Sequence, residues 1–577
     1  DTTVGTVPLN RTNGQMGQVA FSIPANLIQT QNQIAILAEQ QTSEDCTNPN
    51  TPTLWTEIQP SSKLVFTYKT QPVSLDFSRY PYPIVDEFSL NPNQVAYLRP
   101  KTLDSNWLTA MSRFQAQLGQ LLEYRPLKTR VIDDISQLKP EERLVILGTP
   151  DSQPLLKELK LPFAMKQGRI LDGQQKPLPG DVGVLMLTTL ANQNSDQDDN
   201  QTSDADRNAP VLIATGNSIS GMNKAVQFLV QARDRQIGTG EALVVNNIEE
   251  INSPNPRDWS GYLPNSNRFS LSELITDNRQ FFVDTTVRGA NAPEIKIPFR
   301  ALPGDRVLRG STVTLQYSYS PQLNPRTSAV EVALDGITLG AERLSSTRGG
   351  KGSLTVNLPD DVVRPDSNLY VRFVLQPLEN GVCGLEADRQ LWGTVHSDTS
   401  ISLLRDTITR LPDLKLLKVG YPLAAPQDLS TTALVLPDRP TEAELDLLLS
   451  MSKRLGQIIR SDSIKLTAYF AKDLTPELKA NQNIVAIGVR DRLPTPEALT
   501  TKGLNLNAAF LRQNGATQVQ ALPDGEGVLK SVVSPWNKER LLVALTAQRN
   551  QGLQDVQDLI DLDPLFGQLE GDTALVH

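Results

Sequence analysis

The sequence has 577 residues, which is enough for about three to five domains of roughly 100 to 200 residues each. Its 55 basic and 64 acidic side chains leave a net charge of −9, and this charge argues against nucleic acid as a partner. Hydrophobic residues make up 39% and charged residues 21%, a balance typical of a chain that buries ordinary cores.

Few residues that bind metals or carry redox chemistry are present. The chain has two cysteines, Cys46 and Cys383, and two histidines, His396 and His577. Zinc sites and cysteine clusters need more of these ligands, so we expect neither a metal site nor a cofactor. The redox state of the two thiols stays open.

The two ends of the sequence indicate a processed chain. No apolar run reaches the roughly 18 residues needed to span a bilayer. The sequence opens at Asp1 with neither a methionine nor a signal-type apolar segment. We therefore expect upstream residues to be missing.

The chain opens with a segment that returns in its second half. Residues 3–24 match residues 338–359 at a constant offset of 335. Further identities follow at an offset of 337: Cys46 with Cys383, Leu54 with Leu391 and Trp55 with Trp392. In the second copy, Val313, Leu315 and Tyr317 alternate with polar residues, as do Leu369, Val371 and Phe373, a period typical of strands. This unit is predicted to be an antiparallel β-sandwich, jelly-roll-like in type.

A different repeated unit follows each sandwich. Residues 95–122 match residues 432–459 at an offset of 337, ending in Leu118-Gly119-Gln120 and Leu455-Gly456-Gln457. In the first copy we predict strands at residues 95–98, 144–148, 183–187 and 211–214, and helices at residues 104–122 and 220–234. Parallel strands joined by crossover helices would form an open α/β sheet.

The four units alternate along the chain. We predict a first β-sandwich in residues 1–80, a first α/β domain in residues 90–250, a second β-sandwich in residues 255–410 and a second α/β domain in residues 415–577. The first sandwich is expected to lack its opening strands. Residues 191–210 are polar and acidic, so we expect a mobile surface loop there.

This order of domains, with its accompanying motifs, resembles a known family. The motifs are Tyr80-Pro81-Tyr82-Pro83 after the first sandwich, Trp259 and Arg268-Phe269-Ser270 at the start of the second, and Gly571-Asp572 near the end. Together they resemble the periplasmic B subunit of bacterial cellulose synthase (BcsB), and the resemblance covers nearly the whole chain.

The resemblance implies a fold and a function. It implies two carbohydrate-binding-like sandwiches and two flavodoxin-like domains in a non-catalytic partner of the membrane glucosyltransferase. That partner would guide the nascent β-1,4-glucan (cellulose) on the periplasmic face of the inner membrane, held there by a carboxy-terminal helix. The family is also labelled a cyclic di-GMP-binding regulatory subunit, although its relatives bind that nucleotide through the catalytic subunit.

Four aromatic residues are candidates for contact with carbohydrate. Sugar binding usually needs an exposed aromatic face with polar groups at its rim, and we name Trp55, Tyr68, Tyr80 and Tyr82. A core position for Trp55, a buried strand face for Tyr68 and a rigid hinge for the two tyrosines of the proline-rich junction are competing interpretations.

Two other segments invite a chemical interpretation. Residues 214–221 join a predicted strand to a helix, where backbone amides can hold phosphate, but they lack a P-loop ending and favour a capped turn. His396 stands beside Ser397 and Asp398, yet a catalytic triad is recognised by geometry rather than by adjacency. We expect a surface or strand-end histidine there, and we predict no catalytic residues.

The leading hypothesis is an accessory subunit of cellulose synthase that contacts glucan and has no enzymatic activity. The alternatives are a secreted carbohydrate-active enzyme whose sandwiches are binding modules, and an envelope scaffold that binds no glycan. Self-association through the repeats is compatible with each hypothesis.

Overall fold

The computed structural model describes residues 2–8, 17–29, 32–40, 55–67, 73–89, 91–191, 208–231, 237–277, 280–345, 350–378, 390–407, 411–501, 504–505, 511–514, 518–521 and 525–577. The chain divides into two compact units. One unit contains residues 1–68, 266–300 and 307–405, and the other contains residues 69–265, 301–306 and 406–577.

The first α/β domain is a six-stranded sheet with helices. Its strands are β1 (Asn93–Leu98), β2 (Leu127–Ile132), β3 (Arg143–Leu147), β6 (Gly183–Ala191), β7 (Asn208–Gly216) and β8 (Ala242–Val245), beside a small hairpin of β4 (Met165–Lys166) and β5 (Arg169–Ile170). The sheet order is β2-β1-β3-β7-β6-β8. Helix α1 (Ser105–Leu122) starts where the Asp104 carboxylate accepts a hydrogen bond from the backbone N–H of Trp107. Helix α2 is Ile219–Val230.

Strand β6 was predicted to be parallel to its neighbours, but it is antiparallel. Strands β1, β2, β3 and β7 are parallel, as predicted, but β6 is antiparallel to β7. The two strands follow each other along the chain through residues 192–207, and consecutive strands can pair antiparallel without a crossover helix. The predicted mobile loop at 191–210 is also shorter than expected, since Ala191 and residues 208–210 belong to strands, while residues 192–207 lie outside the described residues.

The second sandwich consists of two antiparallel sheets. Its strands are β9 (Arg268–Ser270), β10 (Thr285–Arg288), β11 (Ile295–Pro298), β12 (Asp305–Val307), β13 (Thr312–Tyr319), β14 (Ala329–Leu334), β15 (Ile337–Arg343), β16 (Gly350–Asn357), β17 (Asn368–Val374), β18 (Trp392–Val395), β19 (Ser400–Ser402) and β20 (Arg405–Thr407). One sheet has the order β10-β18-β13-β19-β9, with β16 paired to β13, and the other has the order β11-β17-β14-β15.

The predicted alternation of side chains is confirmed in this sandwich. Val313, Leu315 and Tyr317 of β13 are buried, whereas the residues between them are only half-buried. Tyr317 meets Phe373 of the other sheet edge to face, with ring centroids 6.4 Å apart. The inward residues of both sheets therefore form one apolar layer between them.

The second α/β domain repeats the first, strand for strand. Its main strands are β21 (Thr432–Leu436), β22 (Thr467–Phe470), β23 (Asn483–Val489), β28 (Gly527–Val533), β29 (Leu541–Ala547) and β30 (Thr573–Val576), and a smaller sheet holds β24 (Thr500–Thr501), β25 (Leu504–Asn505), β26 (Leu511–Asn514) and β27 (Gln518–Ala521). The helices are α3 (Glu442–Ile458), α4 (Pro476–Asn481), α5 (Asn550–Asp561) and α6 (Asp563–Phe566). The order β22-β21-β23-β29-β28-β30 has the same pattern as the first sheet. None of the helices in the described part of the chain is long and apolar enough to span a bilayer.

Helices α1 and α3 of the two α/β domains pack against each other at equivalent glycines. A Cβ atom added to Gly456 would lie closer than 3.0 Å to the carbonyl oxygen of Ala116. A Cβ atom added to Gly119 would likewise lie closer than 3.0 Å to the carbonyl oxygen of Lys453. Only glycine permits the backbones of the two helices to approach this closely. The repeated Leu-Gly-Gln sequence therefore marks a contact between the repeats.

The glutamines beside these glycines make matching hydrogen bonds. Gln120 donates from Nε2 to the carbonyl oxygen of Ser461 (2.9 Å), and Gln457 donates from Nε2 to that of Glu123 (2.6 Å). Each glutamine thus reaches the backbone just beyond the end of the opposite helix. The contact is nearly two-fold symmetric, like the interface of a homodimer.

The first 67 residues differ from the predicted sandwich. Among the residues described there, a 3₁₀ turn at Ala25–Leu27 is the regular element, and no strand occurs. Their counterparts in the second sandwich, β15 and β16, pair with β14 and β13. Large apolar residues of the first segment, such as Phe21, Leu37 and Phe66, are exposed.

Candidate functional site

A polar groove crosses the outward face of the sheet formed by β11, β17, β14 and β15. Its volume is about 640 Å³, and its lining residues are Glu294, Glu331, Ala333, Asp335, Gly336, Thr338, Tyr370 and Arg372. The strands expose these side chains because residues on β14 and β17 alternate between the core and the surface. Val332 and Val371 point inward, so Glu331, Ala333, Tyr370 and Arg372 point outward.

An ion pair lines the groove. Arg372 lies opposite Glu331 in the register of β17 and β14. Its Nε and Nη2 atoms both donate to Oε2 of Glu331, at 3.0 and 2.6 Å. The side chains remain 51% and 33% exposed, so unused donors and acceptors face solvent. Such a pair adds little to stability but can bind the hydroxyl groups of a ligand.

The hairpin between β14 and β15 also lines the groove. Asp335 adopts a positive φ of 47°, and its Oδ1 accepts a hydrogen bond from the backbone N–H of Asn368 at 2.8 Å. Half-buried Tyr370 lies beside it and is opposite Ala333, whose small side chain leaves the ring accessible. The groove therefore combines one aromatic ring with a ring of polar groups.

The charge of the groove limits its ligands. Glu294, Glu331 and Asp335 supply three carboxylates, and Arg372 supplies one cation. An excess of carboxylates repels phosphates and other polyanions, whereas hydroxyl groups can donate to the carboxylates and accept from the guanidinium. A neutral polyhydroxylated chain fits this chemistry best.

The four aromatic residues predicted from the sequence lie elsewhere. Trp55 is 70% exposed, and its backbone carbonyl accepts a hydrogen bond from Gln40 Nε2 at 3.2 Å. Tyr68 lies outside the described residues. Phe66, two residues before it, is 57% exposed and outside any strand.

Tyr80 and Tyr82 belong to the junction before the first α/β domain. Tyr80 packs against the main apolar core, and its hydroxyl is buried with no hydrogen-bond partner among the described residues. This burial raises the pKa of the Tyr80 hydroxyl. Tyr82 is half-buried near the Arg143 guanidinium. Of the three candidates that the structure describes, Trp55 is the most exposed.

The strand-to-helix segment at 214–221 is the predicted structural turn. Asn217 accepts from the backbone N–H of Ile170 at 2.8 Å and donates to the carbonyl oxygens of Ile170 and Leu178. Ser218, at the start of α2, donates to the carbonyl oxygen of Gly180. These side chains are used in holding the neighbouring loop. In the part of the chain that the structure describes, no group of three or more His, Cys, Asp or Glu side chains could hold a metal.

Sequence analysis missed the groove residues although the signal was present. The alternation that placed Leu369 and Val371 in the core also places Tyr370 and Arg372 on the surface. An exposed tyrosine followed two residues later by an arginine, facing a glutamate across the sheet, could have been read from that pattern together with the strand pairing.

Models of four cellulose synthase BcsB domains match the chain in succession. The first CBM domain matches residues 1–70, the first FD domain residues 76–245, the second CBM domain residues 268–400 and the second FD domain residues 407–545. The alternation predicted from the internal repeats agrees with this order.

Curated relatives match over most of the chain at low identity. A cyclic di-GMP-binding protein of Pseudomonas fluorescens (strain SBW25) is 23% identical over 78% of this chain and 58% of its own length. Putative cellulose synthase 3 of Komagataeibacter xylinus is 22% identical over 99% of this chain, which spans 38% of that relative. A cyclic di-GMP-binding protein of Escherichia coli (strain K12) is 21% identical, with coverage of 100% and 74%.

One solved structure that aligns with part of the chain has little overall similarity to it. An acetyl xylan esterase (Est2A) from the rumen bacterium Butyrivibrio proteoclasticus aligns with 29% of this chain and 36% of its own, at 11% identity and a TM-score of 0.13.

Proposed function

The chain belongs to the cellulose synthase BcsB family, and we propose on that basis that it is a periplasmic accessory subunit that supports the synthase and guides nascent β-1,4-glucan. It would add no step of its own to the formation of glycosidic bonds. The observation that supports guidance is the groove around Tyr370, whose aromatic ring and exposed ion pair suit a neutral polyhydroxylated chain.

Guidance requires weak binding at the groove. A shallow site with one aromatic ring buries little ligand area, so we expect a Kd of about 1 mM for cello-oligosaccharides, equivalent to about −4 kcal/mol. A polymer held this weakly slides, because each contact breaks easily as the next one forms. Contacts through Trp55, Tyr68, Tyr80 and Tyr82 in the first half belong to the same proposal.

The partners and the location follow from family membership as proposals. We propose attachment to the inner membrane through a carboxy-terminal helix beyond His577, with the four predicted domains facing the periplasm. The catalytic subunit would be the direct partner and would bind cyclic di-GMP. Titration of this chain alone with cyclic di-GMP should then produce no binding signal.

The partner proposal is tested on the intact gene product. Purified from membranes in mild detergent, it should bring with it a glucosyltransferase that makes β-1,4-glucan from UDP-glucose. Recovery without any synthase, even after crosslinking, would refute the accessory role.

The groove is tested separately with cellohexaose. Tyr370→Ala should weaken binding measured by calorimetry or NMR titration by about tenfold, because stacking on one ring contributes about 1 kcal/mol or slightly more. Tyr124→Ala is the matched control, since Tyr124 is 78% exposed and lies in the first α/β domain. Equal affinities for the two variants would exclude the groove as the glucan contact.

A further inference from the structure

Three side chains of the second sandwich form a continuous hydrogen-bond chain. Oδ2 of Asp284 lies 2.8 Å from Nδ1 of His396, and Nε2 of the same imidazole lies 2.9 Å from Oγ of Ser318. Carboxylate, imidazole and hydroxyl follow one another in the order that activates a serine as a nucleophile. These are not the residues beside His396 in the sequence.

The register of the sheet brings the three residues together. Strand β18 lies between β10 and β13, and its Val395 pairs with Thr285 on one side and Tyr317 on the other. Asp284, His396 and Ser318 each stand one residue from this row. Ser318 lies 78 positions before His396 in the sequence, and Asp284 lies 112 positions before it. The arrangement therefore depends on pairing between distant strands.

Asp284 is fixed by more than the imidazole. Its Oδ1 accepts hydrogen bonds from both the backbone N–H and the hydroxyl of Ser397, each at 2.7 Å. The hydrogen bonds from His396 and Ser397 lower the pKa of Asp284 to about 2, so the carboxylate is charged at neutral pH. A charged Asp284 accepts a hydrogen bond from Nδ1–H of His396, and in this tautomer Nε2 carries the lone pair that faces Ser318.

Ser318 can be reached from solvent. It is half-buried on β13 between the inward-facing Tyr317 and Tyr319, so its hydroxyl lies on the outward face of the sheet. Its cross-strand partner on β16 is Lys351, which is exposed. Side chains opposite each other in a sheet have Cβ atoms about 5 Å apart, so the Lys351 ammonium can reach the space above the Ser318 hydroxyl.

We propose that Ser318 is the nucleophile of an ester-cleaving site, with His396 as its general base and Asp284 as a positioning residue. The substrates would be short-chain carboxylic esters, because the neighbouring outward side chains Thr286, Thr394, Gln316 and Lys351 are polar. This activity is independent of glucan synthesis and of the groove around Tyr370.

The reaction proceeds in two balanced steps. In the first, Oγ of Ser318 attacks the carbonyl carbon while its proton moves to Nε2 of His396, and the Lys351 ammonium faces the developing oxyanion. The alcohol then leaves with that proton, and an acyl-serine remains. In the second step, water attacks the acyl carbon, gives its proton to His396, and releases the carboxylic acid as Ser318 recovers its proton.

The proposal is tested with the complete 577-residue chain and two probes. A fluorophosphonate should form a covalent adduct that mass spectrometry locates on Ser318, and 4-nitrophenyl acetate should be hydrolysed. Ser318→Ala should abolish both, and His396→Ala should lower both rates by about 100-fold or more. Ser353→Ala is the matched control, because Ser353 lies on the same outward face and bonds to Gln316.

Asp284 requires a readout that distinguishes positioning from folding. Asp284→Asn keeps the size of the side chain but favours the wrong imidazole tautomer, so kcat should fall while KM stays unchanged. Thermal unfolding of every variant checks the fold. An absence of adduct in the folded wild-type chain, or hydrolysis that persists in Ser318→Ala, would overturn the proposal and leave the three residues as a purely structural link between strands.

Discussion

The close packing of helices α1 and α3 at Gly119 and Gly456 predicts whether Gly456→Ala stabilises or destabilises the chain. In an isolated helix, Gly456→Ala would be stabilising by up to about 1 kcal/mol, because alanine has the higher helix propensity. In this structure the added methyl group would meet the carbonyl oxygen of Ala116. We therefore expect destabilisation in place of the gain.

The magnitude follows from the atoms involved. A backbone carbonyl cannot rotate away, so the helices must separate, and overpacking of this kind costs about 1–3 kcal/mol. Separation also strains the hydrogen bonds of Gln120 and Gln457, each contributing about 1 kcal/mol. Set against the propensity gain, the net loss in unfolding free energy should be about 3 kcal/mol.

Amide hydrogen exchange is the suitable assay, because a multidomain chain does not unfold in one step. Exchange should accelerate over residues 105–122 and 442–458 and stay unchanged in the second sandwich. Gly173→Ala is the control, since nothing lies within 4 Å of a Cβ atom at that position. The double variant with Gly119→Ala should lose less than the two single losses combined, because both substitutions relieve one contact. Slower exchange in Gly456→Ala would refute close packing of the helices.

Three further predictions concern buried polar groups. Burial, reinforced by Glu442, raises the pKa of Asp446 to about 7. The folded chain then binds the extra proton, so stability falls as pH rises from about 4 to about 7. Asp446→Asn should remove this pH dependence of the unfolding free energy. The effect is at most about 4 kcal/mol, and it is smaller than that because the side chain is partly exposed. An unchanged pH profile of urea unfolding would contradict the prediction. Arg454→Ala should cost about 2–4 kcal/mol in the same assay, since the buried guanidinium bonds to the Ile560 carbonyl (2.7 Å) and lies over a phenylalanine ring. Asn217→Ala should cost about 1–3 kcal/mol through three lost loop hydrogen bonds, and stability like the wild type would show that water replaces them.

The internal repeat made most of the fold predictable. The alternation from Val313 to Tyr319 predicted both the strand and its buried face. A shift of the strand by one residue would move every apolar side chain to the solvent face, so only one orientation buries them. The direction of β6 was not predictable in the same way, since it depends on which strand it pairs with rather than on its own residues. The exposure of Trp55 did not follow from the repeat either, because its counterpart Trp392 is half-buried in β18, which pairs with β10 and β13.

The candidate sites were predictable only in part, and for a related reason. Tyr370 and Arg372 occupy the outward positions of a correctly predicted strand, so their exposure was implicit in its core pattern. The partners of His396 were not accessible to sequence reasoning. Adjacency suggested Ser397 and Asp398, whereas the sheet register supplies Ser318 and Asp284. Pairing between distant strands has no local signature, and both sites are built from it.

The symmetric helix contact gives the α/β pair a property that separate subunits would lack. Two chains that met through Gly119 and Gly456 would dissociate on dilution, but here both faces belong to one polypeptide and their effective concentration is fixed. Stoichiometry is therefore built into the chain. A small contact is therefore enough to hold the two α/β domains together. Away from the shared helices the sequence of each copy can change. The turn at Asn217 is an example, because the second copy has no equivalent asparagine.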